Sequence, residues 1–441
     1  MKQLLVFISL LLSICNLAFS QEQSQVIIKN VNIFDGVNEK LQMGSDILIE
    51  GKLIKKIGKN LSSKQAIVIN GEGKTLIPGL IDAHWHTYYA NAPQNILFTG
   101  DISEVAIIGF IGAERTLMRG FTSVRDLGGN PFAVKKMTDS GKHPGPRIFA
   151  SGPPIGQTGG HFDFRMKNDM PSNASDPLPY WERVGLIMMA DGVDEVIKRS
   201  RENFRMGATQ LKISAGGGVS SAYDDLDVQQ YTFEEMKAAV DVAKTYNSYV
   251  AAHIFTDEAT QTAIRAGIKS IEHGFLMSDK TLQMMKDNDV WLSLQPLLND
   301  EDALQFENPY SQHKYELVTS GTEHIYKKAK EMGVKVAFGT DMLFDPVAAE
   351  NQGKMLAKLK KWYTPYEVLK MATSINAELL MLCGPRNPYR DGEIGIIKEG
   401  AYADMILVNG NPLENIDLVA DPENNFVVII KDGKVYKNTI N

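Results

Sequence analysis

Cysteine is scarce in this sequence, with Cys15 and Cys383 the two in 441 residues. We expect Cys15 to be removed with an N-terminal leader, which excludes an internal disulfide even in an oxidising compartment. Basic blocks are also lacking, since Lys and Arg total 46 against 53 Asp and Glu, and the formal charge is −7. A protein of this charge has no surface that attracts a phosphate backbone. The composition therefore excludes a nucleic acid as partner.

Long apolar runs are lacking too, with one exception at the N-terminus. Residues 4–14 are mostly apolar, Lys2 precedes them, and Ala18-Phe19-Ser20 places small residues at the two positions that a signal peptidase reads. The run is too short to span a bilayer. We therefore predict a signal peptide over residues 1–20 and expect an exported protein, periplasmic or extracellular, without a membrane anchor.

Short β-strand patterns separated by turn residues occupy both ends of the chain. They lie at 26–33, 46–49, 52–57 and 66–70, and again at 400–409, 426–431 and 434–436. Two β-rich ends around a long middle predict one discontinuous domain. We assign it as a small β-sandwich formed by residues 21–76 and 385–441.

The middle of the chain, residues 77–384, alternates strand and helix patterns. Strands are predicted at 80–86, 122–126, 147–151, 210–214, 249–253, 270–273, 290–294 and 335–339, with helices at 103–119, 193–206, 233–246 and 322–332 among the segments between them. Eight alternations favour an α/β fold of the (β/α)₈ TIM-barrel type over a doubly wound sheet, the alternative on periodicity alone. Two long connections, 153–191 and 297–321, follow predicted strands and are expected to be active-site loops.

Histidine, lysine and aspartate recur at or near the carboxyl ends of these predicted strands. His84 and His86 are two apart on a strand and point to one face, so both can reach one metal ion. Lys212 lies inside an apolar strand, where an unpaired charge is costly. The remaining candidates are His253, His273 and Asp341. Taken singly each has an ordinary structural explanation, but together they predict an active site, because barrel enzymes place theirs at this end of the strands.

Further motifs extend this pattern over nearly the whole chain after residue 20. They are LIPGLIDAHWH at 76–86, GFTSVRD at 120–126, GPR at 145–147, GGH at 159–161 and GEIG at 392–395. As a set they resemble the amidohydrolase superfamily, in its secreted imidazolonepropionase-like and Xaa-Pro-dipeptidase-like branch. Within the second motif we expect Arg125 and Asp126 to form a structural pair or a backbone anchor at the end of the second strand.

The resemblance implies that two divalent metal ions share one site, zinc in the first place, with manganese or cobalt as alternatives. The implied ligands are His84, His86, Lys212, His253, His273 and Asp341. The first two histidines and the aspartate would hold one ion, and the other two histidines the second. Lys212 would bridge the ions as a carbamate formed with CO₂, because a lysine in an apolar strand has a lowered pKa.

The same resemblance implies hydrolysis of a carbon–nitrogen bond in a small substrate. A hydroxide bridging the ions would attack the carbonyl carbon, and Asp341 would take its proton and pass it to the leaving nitrogen. His161 and Tyr231 are candidate catalytic donors to the substrate, although Tyr231 also fits the lead-in to a helix capped by Thr232. Backbone amides of residues 216–218 are candidate donors to a substrate carboxylate. We expect dipeptides, Xaa-Pro among them, or N-acyl amino acids.

Two alternatives stay open on sequence alone. An imidazolonepropionase-type enzyme would open a cyclic amide with a single metal and no bridging lysine, so Lys212 argues against it. A metal-free barrel acting as a binding protein would not need the full set of candidate ligands. The sequence leaves open the side-chain preference for the substrate and the oligomeric state, a homo-oligomer included.

Overall fold

The structure is a computed structural model that describes residues 25–169, 178–221 and 223–440. The predicted signal peptide, residues 1–20, lies outside the described residues, as does part of the predicted loop 153–191. Within the described ranges, every helix is too short or too polar to cross a membrane.

Strands and helices alternate through the middle of the chain, as predicted. The strands are β1 (Gln25–Ile33), β2 (Gln42–Glu50), β3 (Leu53–Gly58), β4 (Ile67–Asn70), β5 (Thr75–Pro78), β6 (Leu80–Trp85), β7 (Phe121–Asp126), β8 (Arg147–Ala150), β9 (Ile155–Gly156), β10 (Met188–Met189), β11 (Leu211–Ser214), β12 (Val250–Ile254), β13 (Ser270–His273), β14 (Trp291–Leu294), β15 (Val336–Phe338), β16 (Met405–Val408), β17 (Phe426–Lys431) and β18 (Lys434–Asn438). The α-helices are Gln94–Thr99, Ile102–Met118, Phe132–Asp139, Tyr180–Arg183, Val193–Met206, Phe233–Thr245, Asp257–Ala266, Asp279–Asp287, Pro309–Met332, Gln352–Lys358, Pro365–Lys370, Asn376–Leu380 and Pro422–Asn425. The eight strands predicted between residues 80 and 339 are all present, as β6, β7, β8 and β11 to β15.

Strands β6 to β15 are parallel and form two sheets that meet at both edges. One sheet is β6-β7-β8 and the other runs β10-β9-β11-β12-β13-β14-β15. At one seam the amide of Thr209 donates to the carbonyl of Ala150, and at the other the amide of Asp341 donates to the carbonyl of His84. The described strands therefore form a TIM-barrel-like domain, in which the carboxyl ends of the strands share one face.

Both ends of the chain contribute to one eight-stranded sheet. Its order is β18-β17-β16-β5-β1-β2-β3, with β4 beside β1. Strand β5, which our sequence analysis missed, pairs in parallel with β1 on one side and antiparallel with β16 on the other. Because β5 joins the two halves, they are hydrogen-bonded as one sheet, where we expected the two sheets of a sandwich. The domain boundaries at 76 and 384 remain predictions.

The barrel and the sheet domain share a buried interface. Phe121 at the start of β7 and Phe426 at the start of β17 belong to one hydrophobic cluster. Beside them, Nε of Arg147 lies 3.1 Å from Oδ2 of Asp404, and both side chains are buried. The guanidinium also lies over the ring of Tyr402, 3.6 Å from its centroid. The interface therefore combines apolar packing with a buried ion pair.

One long connection is shorter than predicted. We expected a loop over 297–321, but the helix Pro309–Met332 begins inside it. The side chain of Asn308 accepts a hydrogen bond from the amide of Tyr310, and Pro309 occupies the first helical turn. Asn and Pro favour loops, but they also favour the N-cap and first position of a helix, and here the second preference applies.

Candidate metal centre

Three predicted ligands meet where the first and last barrel strands end. Nε2 of His84 lies 3.2 Å from Oδ1 of Asp341, and Nε2 of His86 lies 3.0 Å from the same oxygen. One ligand atom from each of the three residues lies within 4.8 Å of the others. Two imidazoles and a carboxylate are ligands that zinc prefers. The donor set therefore fits a divalent metal ion.

The other two predicted histidines lie next to this cluster. The ring centroids of His253 and His273 are 4.5 Å apart, and that of His273 is 5.1 Å from His84. Nδ1 of His273 lies 2.8 Å from Oε1 of Gln295, and Nε2 of His253 lies 3.1 Å from the carbonyl oxygen of Gly217. A hydrogen bond at one ring nitrogen fixes the other as the metal-binding one. That leaves Nε2 in His273 and Nδ1 in His253.

Lys212 lies beside the first cluster, on β11. Its Nζ is 3.4 Å from Nε2 of His84, and its side chain is buried. Burial lowers the pKa of Lys212 to about 8, although Glu272 and Asp341 act in the opposite direction. A lysine with a lowered pKa holds more free amine, the form that reacts with CO₂. The position and surroundings of Lys212 therefore fit a carbamate.

The protonation states of the cluster suit metal binding. Burial lowers the pKa of His84 to about 3, which keeps this imidazole neutral. Burial would raise the pKa of Asp341, but His84, His273 and His86 outweigh it and hold that pKa well below its usual range. Neutral histidines and an ionised carboxylate are the forms that bind metals.

Two of the candidate ligands have an uncommon backbone conformation. The φ angle is +81° at His273 and +50° at Asp341, in the left-handed region that residues with a Cβ rarely adopt. Strain of this kind concentrates at functional sites, where the surrounding structure holds it in place. Both residues follow buried strand segments, so the turn directs their side chains into the site.

The five histidine and aspartate candidates and Lys212 line one small cavity. It has a volume of about 30 Å³, which is room for one or two water molecules. Phe98, Phe164 and Phe344 close one side, with ring centroids of Phe98 and Phe164 4.5 Å apart and Phe344 about 6 Å from each. Tyr89 stacks on His86, with centroids 5.2 Å apart.

His161 is brought to the cavity as predicted. Its ring stacks on that of His253 with centroids 3.9 Å apart. Nδ1 of His161 lies 2.8 Å from Oγ of Ser221, which leaves Nε2 for a substrate atom. Burial lowers the pKa of His161 to about 4, so the ring is neutral near pH 7.

Tyr231 and the glycine amides are not brought to the cavity. The hydroxyl of Tyr231 donates to the carbonyl of Ala190, 2.9 Å away, and its ring is part of the hydrophobic core. The amide of Gly217 donates to a neighbouring carbonyl, and that of Gly218 donates to Oδ2 of Asp224 at 2.9 Å. These groups are already engaged within the protein, so this conformation does not offer them to a substrate carboxylate.

The backbone anchor, one of the two structural roles expected for Arg125 and Asp126, is found, while the two side chains do not pair with each other. Neighbours on a strand point to opposite faces, and Arg125 instead binds Glu272, with Nη2 2.8 Å from Oε1. Asp126 accepts hydrogen bonds from the amides of Thr87 and Gly128. Burial would raise the pKa of Glu272, but Arg125 outweighs it and holds that pKa well below its usual range. Our sequence analysis missed Glu272, although it is a charge in an apolar strand, the signal that identified Lys212.

Asp82 is a second supporting residue that the analysis missed. Its carboxylate accepts hydrogen bonds from the amide of His84 at 3.0 Å and from the hydroxyl of Thr340 at 2.6 Å. Nε2 of Gln352 donates to it at 2.8 Å. Since Thr340 precedes Asp341, these bonds connect the segment that carries His84 with the segment that carries Asp341.

Comparisons with known proteins cover nearly the whole chain. The family profile described as Amidohydrolase family matches residues 75–441. Ochratoxinase from Aspergillus niger is 30% identical over 440 residues, covering 96% of this chain and 88% of that protein. A solved prolidase complexed with N-methylphosphonate-L-proline is 31% identical with a TM-score of 0.86, covering 94% of this chain and 100% of that one. A Xaa-Pro dipeptidase with methionine bound in its active site is 30% identical with a TM-score of 0.80 and the same coverage.

Proposed function

Because the chain belongs to the amidohydrolase family and is a hydrolase of carbon–nitrogen bonds, we propose that it is a binuclear, metal-dependent enzyme acting on small amides. Its substrates are dipeptides, Xaa-Pro among them, or N-acyl amino acids. One observation carries the proposal: six candidate ligands, from five strands or the residues just after them, converge on one cavity. They are His84, His86, Lys212, His253, His273 and Asp341.

The residues present fit two divalent ions, with zinc as the first expectation and manganese or cobalt also compatible. When bound, such ions polarise a substrate carbonyl and lower the pKa of a water molecule. His84, His86 and Asp341 would hold one ion, and His253 and His273 the other. Lys212 would serve both after its Nζ adds CO₂ and releases a proton.

The protein's own groups supply the proton transfers and the substrate contacts. Asp341 is ionised and contacts two of the histidines, so it can accept a proton from the attacking water. The carboxyl group of Asp341 can then return that proton to the leaving nitrogen, which completes hydrolysis to an acid and an amine. His161, held by Ser221, contacts the substrate through Nε2.

The walls of the cavity support an apolar group next to the scissile amide. Leu343 and Phe344 follow Asp341 along the chain and line the cavity together with Phe98 and Phe164. His161 and Ser220 also line the cavity, with Phe162 beside His161, and we call these two polar residues the polar wall. A dipeptide or an N-acyl amino acid with an apolar residue fits this division, its carboxylate lying on the polar side.

The decisive experiment is a substrate screen with metal-loaded protein alongside a metal analysis. Dipeptides and N-acyl amino acids are compared with their C-terminal amides and with imidazolone propionate. We expect about two metal equivalents, hydrolysis of the free acids and slower hydrolysis of the amides, because the amides leave the polar wall without its charged partner. One equivalent with turnover of imidazolone propionate alone would instead identify a cyclic-amide hydrolase. Absence of both metal and turnover would identify a binding protein.

We also propose that the protein is exported, on the basis of residues 1–20. The charged start, the apolar run and the small residues before Gln21 support cleavage after Ser20. Expression of the full chain, followed by N-terminal sequencing of the exported fraction, tests this. A first residue of Gln21 is expected, and retention of Met1 or Lys2 in the cell-associated protein contradicts it.

A further inference from the structure

Glu272 lies inside the barrel, next to the proposed metal site. It precedes His273 on β13, and its side chain is fully buried. Its carboxylate accepts hydrogen bonds from Nη2 of Arg125, 2.8 Å from Oε1 and 2.9 Å from Oε2. Oε2 also lies 2.9 Å from Nδ1 of His84, within hydrogen-bonding distance. Glu272 thus contacts a candidate ligand without lining the cavity itself.

Arg125 is fixed in turn by the strands around it. Its Nε donates to the carbonyl of Ala83, 2.5 Å away, and its Nη1 donates to Oγ of Ser270 at 3.0 Å. Ser270 donates to Oε1 of Glu272 at 2.6 Å. The carboxylate therefore has partners on three sides and little freedom to move.

A buried ion pair of this kind needs a reason other than stability. Apolar residues of similar size are often as stable or more stable in such positions, because they avoid the cost of removing two charges from water. Apolar residues could not attract the N–H group of an imidazole. The close contact with His84 therefore requires the carboxylate of Glu272.

We propose that Glu272 is a positioning residue for His84. A carboxylate oxygen 2.9 Å from Nδ1 of His84 repels a lone pair on that nitrogen, so Nδ1 carries the proton and Nε2 presents its lone pair. That Nε2 is the atom lying 3.2 Å from Oδ1 of Asp341 and 3.4 Å from Nζ of Lys212. The inference rests on the proposed metal site and adds the group that fixes the orientation and tautomer of one of its ligands.

The test measures metal retention in a double variant, Arg125→Met with Glu272→Met. Removing both charges leaves no unpaired buried ion, so we expect the variant to fold. Zinc content is measured after dialysis against a graded series of chelator concentrations. We expect zinc retention to weaken by about 10- to 100-fold, the usual effect of losing such a partner of a ligating histidine. Thermal unfolding of the metal-free proteins is recorded in parallel.

Asp404→Asn is the matched control, since Asp404 is also a buried carboxylate bound to a buried arginine, away from the cavity. We expect the control to lose stability and keep wild-type zinc retention, the reverse of the double variant. Glu272→Gln, which keeps the size and one acceptor oxygen, is measured as well and should retain zinc to an intermediate degree. Wild-type zinc retention in either folded Glu272 variant overturns the inference. A wild-type protein that takes up none of zinc, manganese and cobalt contradicts the proposed function instead.

Discussion

Lys212 is the residue whose chemistry distinguishes the proposed site from simpler ones. It is buried on β11, 3.4 Å from a candidate ligand, and burial lowers its pKa to about 8. A permanently charged ammonium ion is costly at this buried position. Our proposed function accounts for a lysine here by a reaction of its amine.

Replacing Lys212 therefore tests the bridge. We expect Lys212→Ala to lose most bound metal and most activity, with partial recovery when a short carboxylic acid is added. Lys212→Arg should not recover, because a guanidinium stays protonated and forms no carbamate. Metal content and turnover are the measurements, and Lys237→Ala on an exposed helix surface is the control. Normal turnover in Lys212→Arg would rule out the bridging role.

Asp341 supports a second prediction at this scale. Asp341→Asn keeps the size of the side chain but removes the proton acceptor, so we expect metal to be largely retained. Turnover should fall by about 10²- to 10⁴-fold, the range for loss of a general base. Single-turnover kinetics together with metal analysis measure both effects. If turnover stayed at the wild-type rate, the base would have to lie elsewhere, with His161 the next candidate.

The sequence was informative about residues at strand ends and less so about residues in turns. His253, His273 and Asp341 could be identified because each closes an apolar strand. Tyr231 could not be placed, since its direction depends on the turn before the helix at Phe233, where Thr232 and Glu235 form the expected capping box. That turn gives Tyr231 a φ of +63° and sends its ring into the core. Such a direction depends on packing that no local pattern contains.

At the scale of elements, the helix Pro309–Met332 supports the loop next to His161. Lys314 on this helix is buried, and its ammonium donates to the carbonyl oxygens of Gly218 at 2.5 Å, Ser221 at 2.7 Å and Asp224 at 2.9 Å. All three ammonium protons are therefore used. Ser221 in turn contacts His161, so the helix holds that side of the cavity in place.

Lys314→Met should release this loop while leaving the metal ligands intact. Three buried carbonyl oxygens lose their donor, and we expect the free energy of unfolding to fall by about 1–3 kcal/mol. KM should rise more than kcat falls, because substrate contact through His161 weakens and the proton acceptor is unchanged. Lys327→Met, an exposed position on the same helix, is the control. A wild-type KM in Lys314→Met would show that the loop does not need this lysine.

The strands were easier to predict than the connections for a physical reason. A buried parallel strand is a short apolar run, and each of the eight runs was visible in the sequence. The start of the helix at Pro309 could not be predicted, because Asn308 and Pro309 favour a loop and a helix N-terminus equally well. Strand β5 was not predicted because it has four residues. Its hydrogen-bonding partners, β1 and β16, lie far apart in the chain, so no local pattern indicates the pairing.

At the scale of the whole molecule, the interface between barrel and sheet domain contributes to stability. Asp404→Asn removes the charge from one of the two carboxylates that bind Arg147, the other being Asp432, and we expect the free energy of unfolding to fall by about 1–3 kcal/mol. Denaturant unfolding measures the loss. Asp417→Asn, which removes an exposed ion pair with Lys360, should change stability little. Equal effects of the two substitutions would contradict the structural role of the interface.

The pairing of β5 with β16 also has a consequence for how the chain is made. The ribosome synthesises β1 and β5 early, and β5 waits for its partner β16, which emerges some 330 residues later. Contacts so distant in sequence form slowly, because a long loop must close before any of them is gained. The growing chain therefore cannot complete its sheet domain before synthesis is nearly finished. The export proposed above would therefore act on a chain whose sheet domain is still incomplete.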